Sequence, residues 1–183
     1  GMVSAQKHEV INAWTNMNSY NKEKDSDYLV RAKTAIDKAT VHPDTKDDAK
    51  TWVYRGQIYM LIYQKEFKEK MDAHKDITDP GKKSSTAHLE SNPANLIEST
   101  NAFLRGKSLD TKRVYVDEWT RGLGDCYFYL QNSAISRFNQ KMYADAYPMF
   151  ELSADIVSSD HKFDTLNTSN AAASAYNAKI YDK

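Results

Sequence analysis

Cysteine occurs once in the chain, at Cys126, which excludes an internal disulfide and any zinc site built on thiolates. Its helical surroundings make it a small buried apolar residue rather than a reactive thiol. An excess of charge of either sign is also missing, since 25 Lys and Arg stand against 25 Asp and Glu. With no net field to gather polyanions, nucleic acid is not expected among the partners. No run of about 18 apolar residues occurs, so no membrane-spanning helix is expected. Alternation of apolar and polar residues at period two is absent as well, which removes sheet-based folds and leaves an all-α chain.

The signatures of catalysis are equally scarce. Gly81-Lys82-Lys83-Ser84 has the ending of a phosphate loop, but the earlier glycine and the preceding strand are missing. Asp72, His74, Asp76 and Asp79 offer oxygen and imidazole donors without the glycine and closing glutamate of a calcium loop, and read as a solvated polar segment. His8, His42, His74, His88 and His161 are scattered, with no H-E-x-x-H pair. The expectation is a non-enzymatic chain with no catalytic residue, no cofactor and no metal site.

What the chain does have is helical spacing. Val10, Ile11, Trp14, Met17 and Tyr20 predict a helix over 7–20. Ser26 or Asp27 then caps a second helix with the stripe Leu29, Ala32, Ile36 and Ala39, ended by His42-Pro43. In the next helix Trp52, Gly56 and Tyr59 share a face, Ile62 and Tyr63 continue it, and Phe67 and Met71 extend it by two turns. A glycine inside a helix costs about 1 kcal/mol relative to alanine, so Gly56 implies a close approach that offsets the loss. From Thr78 to Asn92 periodicity is lost, and Asp79-Pro80-Gly81 and Asn92-Pro93 read as a turn and a stop. That segment is expected to be a mobile surface excursion, dispensable for the fold.

Helical spacing resumes at Leu96, Ser99, Phe103 and Gly106. A long helix follows over about 112–140, with the stripe Trp119, Leu123, Cys126, Tyr127, Leu130, Ala134 and Phe138. Gly122 and Gly124 inside it imply either close packing or a bend. Tyr143, Ala146, Phe150 and Ser153 mark the next helix, which Pro148 is expected to bend or shorten. Ala172, Tyr176 and Tyr181 repeat Ala134, Phe138 and Tyr143 at one constant offset. The face formed by Ala171, Ala172, Ala173, Ala175 and Tyr176 is expected to be covered either by a continuation of the chain beyond Lys183 or by another molecule.

Trp52-x3-Gly56-x2-Tyr59 opens a pattern closed by A-x3-F-x2-A spacings at Ala32/Ile36/Ala39, Ser99/Phe103/Gly106 and Ala146/Phe150/Ser153. On these residues the chain resembles the tetratricopeptide-repeat (TPR) family, in particular its exported bacterial members. The resemblance implies one domain over 1–183, a right-handed α-α superhelix of about four helical hairpins. Its repeats run over about 7–43, 45–110 with an insertion at 65–95, 112–157, and a partial 161–183. Arg55 stands where the family usually has Leu, and implies either a looser helix junction or an acidic partner. Such solenoids bind an extended peptide or another protein on a concave face. The family's groove positions fall on Lys50, Val53 and Gln57, on Gln131, Asn132, Ile135 and Asn139, and on Ser169, Asn170 and Asn177. These are amide-rich, matching a peptide backbone better than a terminal carboxylate.

The function so implied is a protein-binding scaffold. Two alternatives stand beside it: a structural subunit of a cell-envelope assembly that uses the insertion or self-associates through the terminal helix, and an enzyme with a site in the groove. Val3-Ser4-Ala5 before Gln6 has the small-residue pattern preceding a signal-peptidase cut, which implies a periplasmic or otherwise exported protein, with a cytoplasmic one as the alternative.

Overall fold

In the computed structural model the described residues, 2–179 with side chains from Lys7 onward, form helices joined by short turns, with no strand among them. Tyr181 lies outside the described residues. The helices are α1 (Met2–Glu23), α2 (Ser26–Val41), α3 (Ala49–Ala73), α4 (Pro80–Glu90), α5 (Pro93–Leu109), α6 (Val116–Asn139), α7 (Tyr143–Ser158) and α8 (Thr165–Asn177). They group into two compact units: residues 1–62 with 98–123, and residues 63–97 with 124–183.

The first unit is built on α1, α2 and the start of α3. Val10, Ala13, Met17 and Tyr20 pack with Leu29, Ala32, Ala35, Ile36 and Ala39 and with Ile58 and Tyr59. The stripe expected on α2 is the buried one. On α1 the buried face is rotated from expectation: Ala13 is buried, while Ile11 and Trp14 are about half exposed. Ala13 fits between two close helices, and larger side chains there would hold them apart. The cap of α2 is Asp25, one residue earlier than expected, whose carboxylate accepts the Asp27 N–H at 2.9 Å.

Within the same unit α5 lies against α3 through glycine. The Ser99 hydroxyl donates to the Gly56 carbonyl at 2.7 Å. A Cβ added at Gly56 would stand 2.7 Å from the Phe103 ring, and one at Gly122 of α6 would stand 2.2 Å from Phe103 Cζ. Gly122 therefore serves close packing, whereas a Cβ at Gly124 would meet nothing within 4 Å. Arg55 has its acidic partners, with Nη1 2.6 Å from Asp37 and Nη2 3.1 Å from Glu98. Burial works against the Asp37 charge, but hydrogen bonds from Lys33 and Tyr59 and the Arg55 charge outweigh it and hold its pKa below the usual carboxylate value.

The expected excursion at Thr78–Asn92 is corrected: it holds helix α4, with Ala87 and His88 buried, followed by the buried Ser91. Its breakers are helix starts. Asp79 caps α4 by accepting the Lys82 N–H at 2.9 Å with Pro80 in the first turn, and Asn92 accepts the Ala94 N–H at 3.0 Å ahead of α5. Proline is tolerated there because the first amides of a helix have no intrahelical partner. α7 likewise starts at Tyr143 and runs unbroken through Pro148, which removes only the bond to the Ala144 carbonyl. Left-handed residues stop four helices without any glycine: Lys24, Lys141, His161 and Lys179.

Candidate functional site

Residues 110–119 set the start of α6. Asp110 Oδ1 accepts the Val114 N–H at 2.9 Å, and Oδ2 accepts the Tyr115 N–H at 2.8 Å and the Trp119 indole N–H at 3.0 Å. Burial opposes the charge on Asp110, yet these three donors outweigh it and keep its pKa low. In the second unit, α6 buries Cys126, Leu130, Ser133, Ala134 and Arg137 on one side. The opposite side carries Phe128, 59% exposed, and Ile135, 41% exposed, with Gln131 and Asn132 half-buried between them and Asn139 exposed beyond. Positions three, four and seven apart fall on one helical face.

These four expected residues of α6 thus share a face, and Phe128 is the member that the family positions left out. Its signal was present, since it precedes Ile135 by two helical turns. The amides are partly engaged: Asn132 Nδ2 donates to the Phe128 carbonyl at 2.8 Å, and Asn177 Nδ2 to the Ala173 carbonyl at 2.8 Å. One donor of each is spent on its own helix, leaving the side-chain oxygen and one N–H to face outward. On α8, Ser169 and Asn177 are exposed and Asn170 is half-buried. The buried Asn167 anchors this helix, donating to the Tyr127 hydroxyl at 3.0 Å and to Asp164 Oδ2 at 2.7 Å.

The three groove positions of the first unit fare differently. Lys50 is exposed, its Nζ 5.8 Å from the Tyr54 ring centre. Val53 is a correction, because it is fully buried and fills the space left by Gly106, where an added Cβ would come 2.8 Å from Val53 Cγ2. It has no surface to offer a peptide. Gln57 is half-buried with its Oε1 enclosed and without a hydrogen-bond partner.

The second unit also encloses a polar cluster. Tyr63 is fully buried, and His88 and Arg137 are nearly so. The Tyr63 hydroxyl lies 3.5 Å from His88 Nδ1, and the rings of Phe67 and Tyr129 pack around the imidazole. Burial and then the Arg137 charge lower the His88 pKa to about 4, while burial pushes the Tyr63 phenol up. His88 is thus neutral in the fold at neutral pH, whereas the unfolded chain protonates it near 6.5. The unfolded state therefore binds the extra proton between those values, and stability is full above about pH 6.5 and falls toward pH 4. The loss attributable to His88 is about 3 kcal/mol. Urea unfolding of the wild type at pH 7 and pH 4.5, set against His88→Phe, checks this: the variant should lose less on acidification. An equal loss would place the acid sensitivity elsewhere.

Among the described residues no group of three or more His, Cys, Asp or Glu is arranged to hold a metal ion, and no helix is long and apolar enough to cross a membrane. Comparison with protein-family models, with curated proteins and with solved structures gave no match.

Proposed function

We propose that the chain is a non-enzymatic binding scaffold that holds an extended polypeptide on the outer face of α6, its helices stacked as the hairpins of a TPR-like right-handed superhelix. The superhelical reading is supported by the α3–α5 contact in the first unit, where Gly56 receives Ser99 and Phe103, the residues of the repeat pattern. The observation that carries the function is the exposure of Phe128 and Ile135 with Gln131 and Asn132 between them.

Two apolar anchors would each contribute roughly 1.5–3 kcal/mol on full burial, and each amide hydrogen bond about 0.5–1.5 kcal/mol. After the cost of ordering an extended chain, the affinity should be about micromolar. Peptides selected from a random display library against the wild-type protein provide the probe. Phe128→Ala should weaken the selected binders about tenfold, and Gln131→Ala with Asn139→Ala should do so independently, both with the helical circular dichroism unchanged. Binders indifferent to both changes would move recognition off α6.

A further inference from the structure

We infer that the cleft between α7 and α8 is a docking groove for an amphipathic helix of another protein, edged on one side by lysine or arginine. The cleft has a volume of about 350 Å³ and lies within the second unit. Its lining residues recur on each helix at spacings of three and four, so the two helices form walls along which a third helix would lie ridge into groove. One wall is small and apolar, made of Ala171, Ala172 and Ala175, and such residues let a helix axis approach closely.

The other wall is acidic. Glu151 and Asp155 lie one turn apart on α7, and the Tyr147 hydroxyl donates to Glu151 at 2.5 Å. No Lys, Arg or His among the described residues forms an ion pair with either carboxylate. Partial burial raises the Asp155 pKa and the Glu151 charge adds to it, so this carboxylate is short of positive charge as the chain stands. An occupant with an apolar stripe for the alanines and a cationic edge for the carboxylates satisfies both walls.

A second copy of the chain does not. A two-fold interface sets the same patch against itself, which would bring Glu151 and Asp155 of both copies together, and α8 itself carries no Lys or Arg. The chain's overall charge is zero, so a basic helix would be drawn by this wall and not by the whole molecule.

The test uses two fluorescent helical peptides with one Leu/Ala stripe, edged by lysines in one and by glutamates in the other. The full chain should bind the lysine-edged peptide about tenfold more tightly, and Glu151→Lys with Asp155→Lys should reverse the preference. Ala172→Gln, which fills the groove without changing charge at an exposed position, should abolish binding of the lysine-edged peptide with the helical signal intact. Phe128→Ala should leave it unchanged, which separates this groove from the α6 face. Equal affinity for both peptides, binding that survives Ala172→Gln, or self-association of the wild type that Ala172→Gln abolishes would each overturn the assignment, the last in favour of a second copy.

Discussion

Arg137→Met is expected to lower the unfolding free energy by about 3 kcal/mol, a drop of roughly 6–12 °C in Tm for a chain of this size. Arg137 is 4% exposed, and its Nη1 donates to the His88 carbonyl at 3.0 Å and to the Ser133 hydroxyl at 2.6 Å, with Nη2 3.4 Å from the Ser91 carbonyl. Two of these acceptors lie at the C-terminal end of α4, where helix carbonyls have no intrahelical donor and the helix dipole is negative. The guanidinium therefore acts as the C-terminal cap of α4. Methionine keeps much of the stem's volume but leaves the carbonyls buried and unpaired, at about 1–3 kcal/mol each, against a partial refund from no longer burying a charge. Thermal unfolding gives the size of the effect, and amide exchange gives its place: α4 should lose protection first. A Tm within a degree or so of wild type would mean that water replaces the guanidinium.

The second large effect contrasts two glycines on one helix. Gly122→Ala should destabilise by about 2–3 kcal/mol, because its Cβ would fall 2.2 Å from Phe103 Cζ and a ring held in a packed core has little room to yield. Gly124→Ala should stabilise by roughly 0.5–1 kcal/mol, the helix-propensity gain with no steric cost. Adding Phe103→Leu to Gly122→Ala should recover part of the loss, since the clash is with the ring. Urea midpoints for the four proteins decide it. A Gly122→Ala variant as stable as wild type would show that α5 and α6 move apart cheaply, and the close-packing account of Gly122 would fail.

The all-helical class and most buried stripes were legible in the sequence because burial on α2 and α6 follows helical periodicity closely, from Leu29 to Ala39 and from Trp119 to Ala134. α4 was not legible. It is short, it buries little beyond Ala87 and His88, and both its ends carry Asp-Pro or Asn-Pro pairs, which serve as starts as readily as stops. The end of α1 was missed for a related reason, since the helix runs on to Glu23 and stops at Lys24, which occupies the left-handed position that glycine usually marks. Of the site, the amide face of α6 came from the family's groove positions carried onto this chain, and those residues fall three and four apart on the helix. Val53 did not, because its burial depends on Gly106, a residue far away in the chain whose missing side chain makes the room.

The ring of Phe103 lies against both Gly56 and Gly122, where an added Cβ would stand 2.7 Å from its Cγ, Cδ1 and Cδ2 atoms in the one case and 2.2 Å from Cζ in the other. A half-turn about its χ2 sweeps the ring edge through space that those glycines border. The ring therefore cannot rotate on the fast timescale of a loosely held side chain, and has to wait until α3, α5 and α6 briefly part within the first unit. Its rotation rate is in effect a clock for the breathing of that unit, set by two residues that have no side chain of their own.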